Sequence, residues 1–353
     1  MKKGLIAISL LCLISFSIVG QNRIAPKVED AGKDTSEEVL TIKNAKTLDT
    51  SGTFKTLIIQ KGTLNIPSGV ILTVREKIVM CTNALLNLDE GASIRVLSEG
   101  KESVVLEGNS TIKNEGKIEI NGSIILKDFS FYRGRGVLEV KKDFRTESLA
   151  EVNIEGEAFF NNLLLNNESN HKFSISEKAK LEVKSKIELT HYSSLEISGL
   201  LDGKGSLDVS GKSKIHVIES GHLALAKSAS FSKNSIGEIV GKFEVGESLD
   251  LFGHSNFIVY GEMKVKQHIH HKQKAVVDIS KHGKFMVGDN YYLNDHGEVY
   301  VDGEMMVWGS FVSTSKLAKN IFTSAKGVIK VSTQNTLKLD GVNISVEESP
   351  TVL

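Results

Sequence analysis

The chain is poor in proline and cysteine and carries no net charge. Its 353 residues include 3 Pro, a scarcity that suits long β-ladders, because Pro donates no backbone hydrogen bond and interrupts a ladder. With 2 Cys the chain cannot be a fold cross-linked by several internal disulfides. Lys plus Arg equals Asp plus Glu at 43 each, which gives no basis for predicting nucleic acid or an anionic membrane as a partner.

Residues 1–20 have the pattern of a secretory signal peptide. Lys2 and Lys3 give a positive start, Leu5 to Val19 is apolar but short for a membrane span, and Gly20 is a small residue before the expected cleavage point. We therefore predict an exported protein located outside the cell, at the cell surface or in the periplasm. No later apolar run is long enough to predict a transmembrane segment in the mature chain.

Export leaves the mature chain with a single cysteine. Leu11, the residue before Cys12, is bulky where a lipoprotein signal has a small residue, so lipidation at Cys12 is not predicted. Removal of the signal peptide leaves Cys81, which cannot form an internal disulfide. Stability is therefore expected to come from packing and hydrogen bonding.

Short strands with alternating polar and apolar residues recur about every eight residues. Alternation of period two places the apolar side chains of a strand on one face, and neighbouring units must stack to bury that face. The clearest examples are Leu207/Val209, Ile215/Val217, Leu223/Leu225, Val277/Ile279 and Phe285/Val287.

This repeat predicts an all-β fold, a parallel β-helix or β-solenoid. Residues 39–353 are predicted to form one such domain, and the polar residues 21–38 a leader or N-terminal cap. If three repeats make one coil, the domain holds on the order of 13 coils and is roughly 60 Å long. The 31 Gly are expected to supply positive φ angles at the corners. Ser313 to Ala325 breaks the pattern and predicts a single helical turn or a protruding loop.

An antiparallel β-sandwich is the alternative fold. Asn-Gly and Asp-Gly pairs between alternating runs are strong hairpin signals, and the segment Val299 to Val307 has the sequence of a complete hairpin. The same pairs also suit left-handed corners of a coil. They occur at Asn121-Gly122, Asp202-Gly203, Asp302-Gly303 and Asp340-Gly341.

The segment Gly62 to Val74 resembles a sequence segment that is common at the start of right-handed parallel β-helices. These β-helices occur in bacterial surface and adhesin-like proteins of the pectin-lyase-like class. Gly116 to Ile120 and Gly205 to Val209 are similar to the repeating rungs of those proteins. The resemblance implies a β-helix in a cell-surface setting. The pectin-lyase-like class includes polysaccharide lyases and hydrolases among its members. One fold hosts many functions, so it does not imply a reaction.

An enzymatic role must be tested against the residues themselves. The glycosidase members of that class carry paired aspartates and a Gly-His-Gly turn, and this sequence has neither. The nearest match to a lyase base is the arginine cluster Arg133, Arg135 and Arg145, near Asp143. Arginine can bind a sugar carboxylate through two hydrogen bonds, and the adjacent Tyr132 can stack on a sugar ring.

A second concentration of chemically useful side chains lies between Gly253 and Phe311. Histidines at positions i and i+2 of a strand share one face, so His268 and His270, with His282 one repeat later, are weak candidates for a metal site, although no set of ligands is complete. Aromatic side chains with a polar handle form stacking platforms for glycans. The candidates for such a platform are Tyr260, Tyr292, Tyr300 and Trp308, the last being the single Trp of the chain.

These observations predict an exported, non-enzymatic β-solenoid without a cofactor. Its expected role is that of a surface adhesin, a glycan-binding protein or an envelope scaffold, with a polysaccharide or a surface protein as partner and self-association through the solenoid ends as a further interaction. The alternative is a polysaccharide lyase or hydrolase that uses the arginine cluster.

Overall fold

Parallel strands stack in register to form a β-solenoid of about 14 turns. The computed structural model describes residues 38–169, 171–313 and 321–331. Within these residues the chain is strand and turn without helix, so the predicted all-β parallel β-helix is confirmed. The predicted signal peptide, the Asp340-Gly341 pair and residues 314–320 of the predicted helical turn or loop lie outside the described residues.

The strands of the N-terminal part are β1 (Val39–Ile42), β2 (Lys46–Thr47), β3 (Gly52–Ile59), β4 (Gly62–Ile66), β5 (Ile71–Met80), β6 (Ala84–Leu88), β7 (Ser93–Val96), β8 (Val104–Leu106), β9 (Thr111–Asn114), β10 (Lys117–Ile120), β11 (Ile124–Leu126), β12 (Phe131–Gly134) and β13 (Val137–Ser148). The central strands are β14 (Glu151–Ile154), β15 (Glu157–Asn167), β16 (Lys172–Ile175), β17 (Lys180–His191), β18 (Ser194–Ile197), β19 (Leu200–Gly203), β20 (Ser206–Val209), β21 (Lys214–Val217), β22 (His222–Leu225), β23 (Ala229–Phe231) and β24 (Ile236–Ile239).

The remaining strands are β25 (Lys242–Val245), β26 (Leu249–Leu251), β27 (Asn256–Val259), β28 (Glu262–Val265), β29 (Ile269–His271), β30 (Val276–Ile279), β31 (Lys284–Val287), β32 (Tyr291–Leu293), β33 (Glu298–Val301), β34 (Glu304–Val307), β35 (Phe311–Ser313), β36 (Ile321–Thr323) and β37 (Val328–Val331). Ile321 and Phe322 therefore lie in a strand and correct the prediction of a helical turn or loop at their positions.

Each turn contributes strands to three faces. Face 1 is the 14-stranded sheet that contains β21, β24, β27, β30 and β33. The 23-stranded sheet supplies two strands per turn in the C-terminal half: face 2 is its ladder through β22, β25, β28, β31 and β34, and face 3 its ladder through β20, β23, β26, β29 and β32. The chain passes from face 1 to face 2 to face 3, which defines corners 1–2, 2–3 and 3–1.

The parallel register rules out the hairpin interpretation. Strands β33 and β34, which cover the predicted hairpin from Val299 to Val307, lie in different sheets and pair with the turns before and after them. The Asp302-Gly303 pair makes corner 1–2 between them. Asp202-Gly203 lies inside β19, which pairs in parallel with its neighbours.

The core is built from inward side chains that stack on those of the next turn. Leu201 pairs with Leu223 of the following turn, and Leu223 in its turn pairs with Phe243, so each turn repeats the position of the last. Aromatic rings fill the centre, with Phe231 and Phe257 edge to face at 5.1 Å between ring centroids. Gly237 pairs in register with Phe257, and a side chain there would collide with the Phe257 ring.

Corner 3–1 has a left-handed backbone in successive turns. Positive φ recurs there at Asn83, Gly108, Asp128, Ser148, His191, Gly211, Lys233, Gly253, Gln273 and Asp295. Polar side chains offset the strain of this conformation, because they accept hydrogen bonds from the neighbouring turn: Asp128 Oδ2 from the Gly108 N–H at 3.0 Å, and Gln273 Oε1 from the Gly253 N–H at 2.8 Å. Glycine is therefore not required at every such corner.

Glycine recurs at corner 1–2 for a different physical reason. Its column comprises Gly116, Gly136, Gly156, Gly199, Gly221, Gly241, Gly261, Gly283, Gly303 and Gly327, at each of which a Cβ would lie under 3.0 Å from the backbone of a neighbouring turn. These residues do not have positive φ. The expectation that corner glycines supply positive φ is therefore wrong for these ten glycines, where close approach of the neighbouring turn leaves no room for a Cβ. Val70, Ala92 and Ala179 occupy the remaining positions of the column.

Replacement of a glycine in this column is expected to destabilise the solenoid strongly. In Gly241→Ala the new methyl group meets the carbonyl oxygens of Ile218 and Gly221, and relief requires two turns to separate, at a cost of about 3 kcal/mol or more. Gly69→Ala is the control: its φ of +80° strains any side chain, but its Cβ has open space, so the cost is about 1–2 kcal/mol. Thermal unfolding followed by circular dichroism compares the two, and equal losses would contradict close approach as the cause.

His271 is fully buried at the end of β29, on the inward side of face 3. Its Nε2–H donates to the Ala275 carbonyl oxygen at 2.6 Å, which leaves Nδ1 to accept from the Tyr291 hydroxyl at 2.8 Å. Both ring nitrogens are thus satisfied in the neutral form. Burial lowers the pKa of His271 from its ordinary 6.5 to about 4.

Acid is therefore expected to destabilise the fold through His271. Between pH 6.5 and 4 the unfolded chain binds a proton that the folded chain does not, so stability falls as pH falls through this window, by roughly 3 kcal/mol. The double variant His271→Leu/Tyr291→Phe removes the titrating group and leaves no hydroxyl unpaired. Denaturant unfolding at pH 7 and pH 4 should show a smaller acid loss in the variant, and an unchanged loss would place the acid sensitivity elsewhere.

Candidate ligand-binding groove

An elongated groove of about 420 Å³ follows corner 2–3 over successive turns. Three of its lining residues, Gly246, Lys266 and Gly288, occupy the same place in consecutive turns, and Trp308 follows them in the next turn. The register is set by backbone hydrogen bonds, for example from the Trp308 N–H to the Val287 carbonyl at 2.9 Å. The two glycines leave the corner open, and Trp308 closes one end of the groove.

Packing explains why the corner is open. A Cβ at Gly246 or Gly288 would lie under 3.0 Å from a backbone carbonyl oxygen of the turn before, so side chains are excluded at both positions. Trp308 stands beside this gap with 40% of its surface exposed. An exposed indole next to an open corner is a surface on which a flat apolar ligand face can stack.

Outward side chains of face 2 form the wall of the groove. Ala224, Glu244, Lys264 and Met286 align in consecutive turns, and Met306 follows Met286 in register. The wall is thus apolar at the Trp308 end and charged further along.

The charged groups on this wall are held in place by ion pairs. Lys242 donates to Glu244 at 2.7 Å, and Lys264 pairs with Glu262 at 2.7 Å. The hydrogen bond from Lys242 lowers the pKa of Glu244, so this carboxylate stays ionised. The groove therefore offers an acceptor and a donor of fixed position beside its apolar surface.

Face 3 carries an aromatic pair close to this corner. The rings of His270 and Tyr292 stack with centroids 5.2 Å apart and planes 6° from parallel. The Asn290 side-chain amide donates to the Tyr292 hydroxyl at 3.1 Å and accepts from the Ser310 N–H at 2.8 Å. Since Asn290 follows closely on Gly288, Tyr292 is anchored to the same corner that forms the groove.

Two of the aromatic residues predicted from sequence lie elsewhere. Tyr260 is exposed at corner 1–2, between β27 and β28. Tyr300 is on face 1, where its ring stacks on Phe322 at 4.6 Å and its hydroxyl donates to Glu298 at 2.8 Å. The predicted platform is therefore divided, and Tyr292 and Trp308 are the members that corner 2–3 brings to one side of the molecule.

The predicted metal ligands are also separated. His268 lies at corner 2–3 and His270 on face 3, with ring centroids 6.2 Å apart. His268 Nε2 is 3.5 Å from Asp289 Oδ2. His282 lies at corner 1–2, on the other side of face 2. Across residues 38–169, 171–313 and 321–331, no group of three or more His, Cys, Asp or Glu side chains is placed to hold a metal ion.

Tyr132 lies in the core and corrects its prediction as a surface residue. Its ring is 1% exposed, and the buried Asn114 amide donates to its hydroxyl at 3.1 Å. Gly134, further along the strand on the same inward side, makes room for the hydroxyl, which a Cβ there would contact. Burial raises the pKa of the Tyr132 phenol, so the group stays neutral.

The predicted arginine cluster is divided between two faces. Arg133 on face 1 and Arg135 at the corner beyond it both pair with Glu155 of the next turn, at 2.6 and 3.1 Å. On face 3, Arg145 pairs with Asp143 at 2.5 Å. The cluster therefore consists of two separate sets of ion pairs.

Asp143 is held as a carboxylate. Partial burial opposes its ionisation, but the hydrogen bond from the Asn162 amide at 2.8 Å and the pairing with Arg145 outweigh it and keep the pKa of Asp143 below its ordinary value. A carboxylate with a lowered pKa is a weak base, and this one is already engaged by two donors.

Comparisons with known proteins leave this chain without an assigned relative. No family model, no curated protein and no solved structure matches it. The parts of the chain that the structure describes contain no helix with the length and apolar character of a membrane span.

Substitutions at neighbouring positions should separate the core residue from the surface residue. Tyr132→Ala leaves a cavity between stacked turns and is expected to cost about 3–5 kcal/mol, as for other large aromatic residues in cores. Arg135→Ala removes a side chain that is 66% exposed and is expected to cost less than about 1 kcal/mol. Denaturant unfolding of both variants measures this difference, and a large loss in Arg135→Ala would mean that its pair with Glu155 is structural.

Proposed function

We propose that this protein is an exported, non-enzymatic β-solenoid that binds glycan chains, acting as an adhesin-like protein at a bacterial surface. The observation that carries the proposal is the corner groove closed by Trp308. The resemblance of its rungs to pectin-lyase-like and adhesin-like surface proteins supports the setting. The pattern of residues 1–20, which lie outside the described residues, supports export, with the periplasm as the alternative location.

The chemistry of the groove matches that of a sugar chain. A pyranose ring has an apolar face of C–H groups and an edge of hydroxyls, so it binds where an aromatic plane stands beside fixed polar groups. Trp308 and Met286 provide the apolar part, and Glu244 and Lys264 provide an acceptor and a donor.

The shape of the groove favours a polymer over a small molecule. Its outward residues from Ala224 to Met286 occupy four consecutive turns, and Trp308 adds a fifth. At about 4.8 Å between turns the groove is roughly 19 Å long and parallel to the solenoid axis. Such a trough accepts an extended chain that lies along the axis and stacks on Trp308 at one end.

The state of the arginine cluster supports binding over catalysis. Lyase chemistry in this class needs a base free to take a proton, but Arg133 and Arg135 both pair with Glu155, and Asp143 is engaged by Arg145 and Asn162. A polysaccharide lyase or hydrolase remains the competing function, and the experiment below tests both.

Trp308 fluorescence should report binding directly, because the chain has 1 Trp. Titration of the mature protein with neutral and acidic polysaccharides is expected to shift the emission of Trp308 to shorter wavelength as a sugar ring covers it. Trp308→Ala should weaken retention on the same polymer about tenfold, the equivalent of about 1.4 kcal/mol for one lost stacking contact.

Tyr260→Ala is the matched control, since this exposed aromatic residue lies at corner 1–2, away from the groove. It should leave retention unchanged. Equal weakening by both variants, or no change in emission with any polymer, would reject the groove as a glycan site and favour a protein partner or a scaffold. The same mixtures are analysed for chain length, and shortened products that disappear in Arg135→Ala would establish the enzymatic alternative.

A further inference from the structure

A second groove, of about 470 Å³, lies at corner 1–2 in the turns that also contain Trp308. It is lined mainly by polar and charged residues on the opposite edge of face 2: Lys281, His282, Gly283, Lys284, Asp302, Gly303, Glu304, Lys326, Val328 and Lys330. We propose that this basic groove binds sulfate or phosphate ester groups carried by a polymer. The inference does not depend on the Trp308 groove, because it rests on different residues and a different corner.

The charges of the groove do not balance. Four lysines face two carboxylates, and both carboxylates are already engaged: Glu304 pairs with Lys330 at 3.4 Å, and Asp302 accepts a hydrogen bond from the Ser324 hydroxyl. Within the described part of the chain, Lys281, Lys284 and Lys326 form no ion pair. Gathering like charges without counter-charges is unfavourable, and an anion in the groove removes this repulsion.

Preceding turns of the same face show the ordinary arrangement. Lys242 follows His222 and precedes Glu262 in one outward column, and Lys264 follows Glu244 in the other. Pairs such as Lys242–Glu244 and Lys264–Glu262 neutralise the charges there. Lys284 continues this alternation, since it lies between Glu262 and Glu304 in the first column. The surplus of lysine therefore comes from the corner itself, where Lys281 and Lys326 are added.

The kind of cation indicates the kind of anion. Arginine presents a planar fork that matches a planar carboxylate, whereas lysine is a point charge that binds a tetrahedral oxyanion from any side. The lining contains lysine and histidine and no arginine. At about 470 Å³ the groove has room for a group as broad as a sulfate or phosphate ester. These features favour tetrahedral esters over uronic acid carboxylates.

Derivatives of one polymer can test this directly. Binding of the mature protein to dextran, dextran sulfate, dextran phosphate and carboxymethyl dextran of equal substitution is measured by isothermal titration calorimetry at low and moderate salt. We expect sulfate or phosphate esters to bind more tightly than carboxymethyl dextran. The variant Lys284→Gln/Lys326→Gln should weaken ester binding about tenfold at low salt and flatten its salt dependence, since two exposed charges are lost.

The control Lys178→Gln/Lys227→Gln removes the same charge from exposed positions in earlier turns. It should bind the esters as the parent protein does. Equal losses in both double variants would overturn the proposal in favour of general attraction to net charge, and carboxymethyl dextran binding as tightly as the esters would overturn the choice of anion. Whichever ester binds more tightly identifies the source as a sulfated or a phosphorylated polymer.

Trp308→Ala distinguishes this inference from the proposed glycan function. If the advantage of the ester over plain dextran persists in that variant, the basic groove acts alone. If neutral polymers fail to bind but the ester advantage depends on Lys284 and Lys326, the proposed glycan groove fails and the anion site stands.

Discussion

Every feature of this molecule depends on the parallel hydrogen bonding between one turn and the next. Over β18 to β35 each residue pairs with its counterpart in the following turn, so each position in a turn becomes a column along the solenoid. Inward columns form the core, and corner columns set the spacing between faces. Outward columns form the surfaces that carry the two proposed binding grooves, so the same register produces both the fold and the candidate sites.

The corner columns show how one constraint is met in two chemical ways. At corner 3–1 the constraint is a left-handed backbone, and residues such as Asp128 and Gln273 satisfy it with side chains that also bond to the neighbouring turn. At corner 1–2 the constraint is space, which glycine satisfies in most turns, while Ala92 and Ala179 occupy the same column in two others. Corner 2–3 applies the same steric rule at Gly246 and Gly288, and the gaps that result form the groove beside Trp308.

Much of the fold follows from sequence, because strand alternation and a short repeat are local signals. The alternating pairs from Leu207 to Leu225 predict inward faces correctly. The residues that pair across neighbouring turns are harder to predict, since the spacing between successive strands does not give the length of a whole turn. Without that length the alignment of Ala224, Glu244, Lys264 and Met286 is invisible, although a comparison of the sequence with itself, shifted by one full turn, would have revealed it. The burial of Tyr132 does not follow from its local sequence, because it depends on Asn114 one turn earlier and on Gly134, which leaves room for its hydroxyl.

The two grooves lie on opposite edges of one face, and their positions constrain any ligand that uses both. Outward residues of face 2 form two columns. One runs through Lys284 and Glu304 beside the basic groove, and the other through Met286 and Met306 beside Trp308 to Lys330, which also lines the basic groove. Residues two apart on a strand are about 7 Å apart. That separation is within the width of a single polymer chain and its substituents. A chain stacked on Trp308 along the axis would therefore direct ester groups on one of its edges across Met306 toward Lys284 and Lys326, while an unsubstituted chain would occupy the Trp308 groove alone. In the proposed binding mode, ester substitution would add affinity and selectivity, because both contacts would be made by one set of stacked turns.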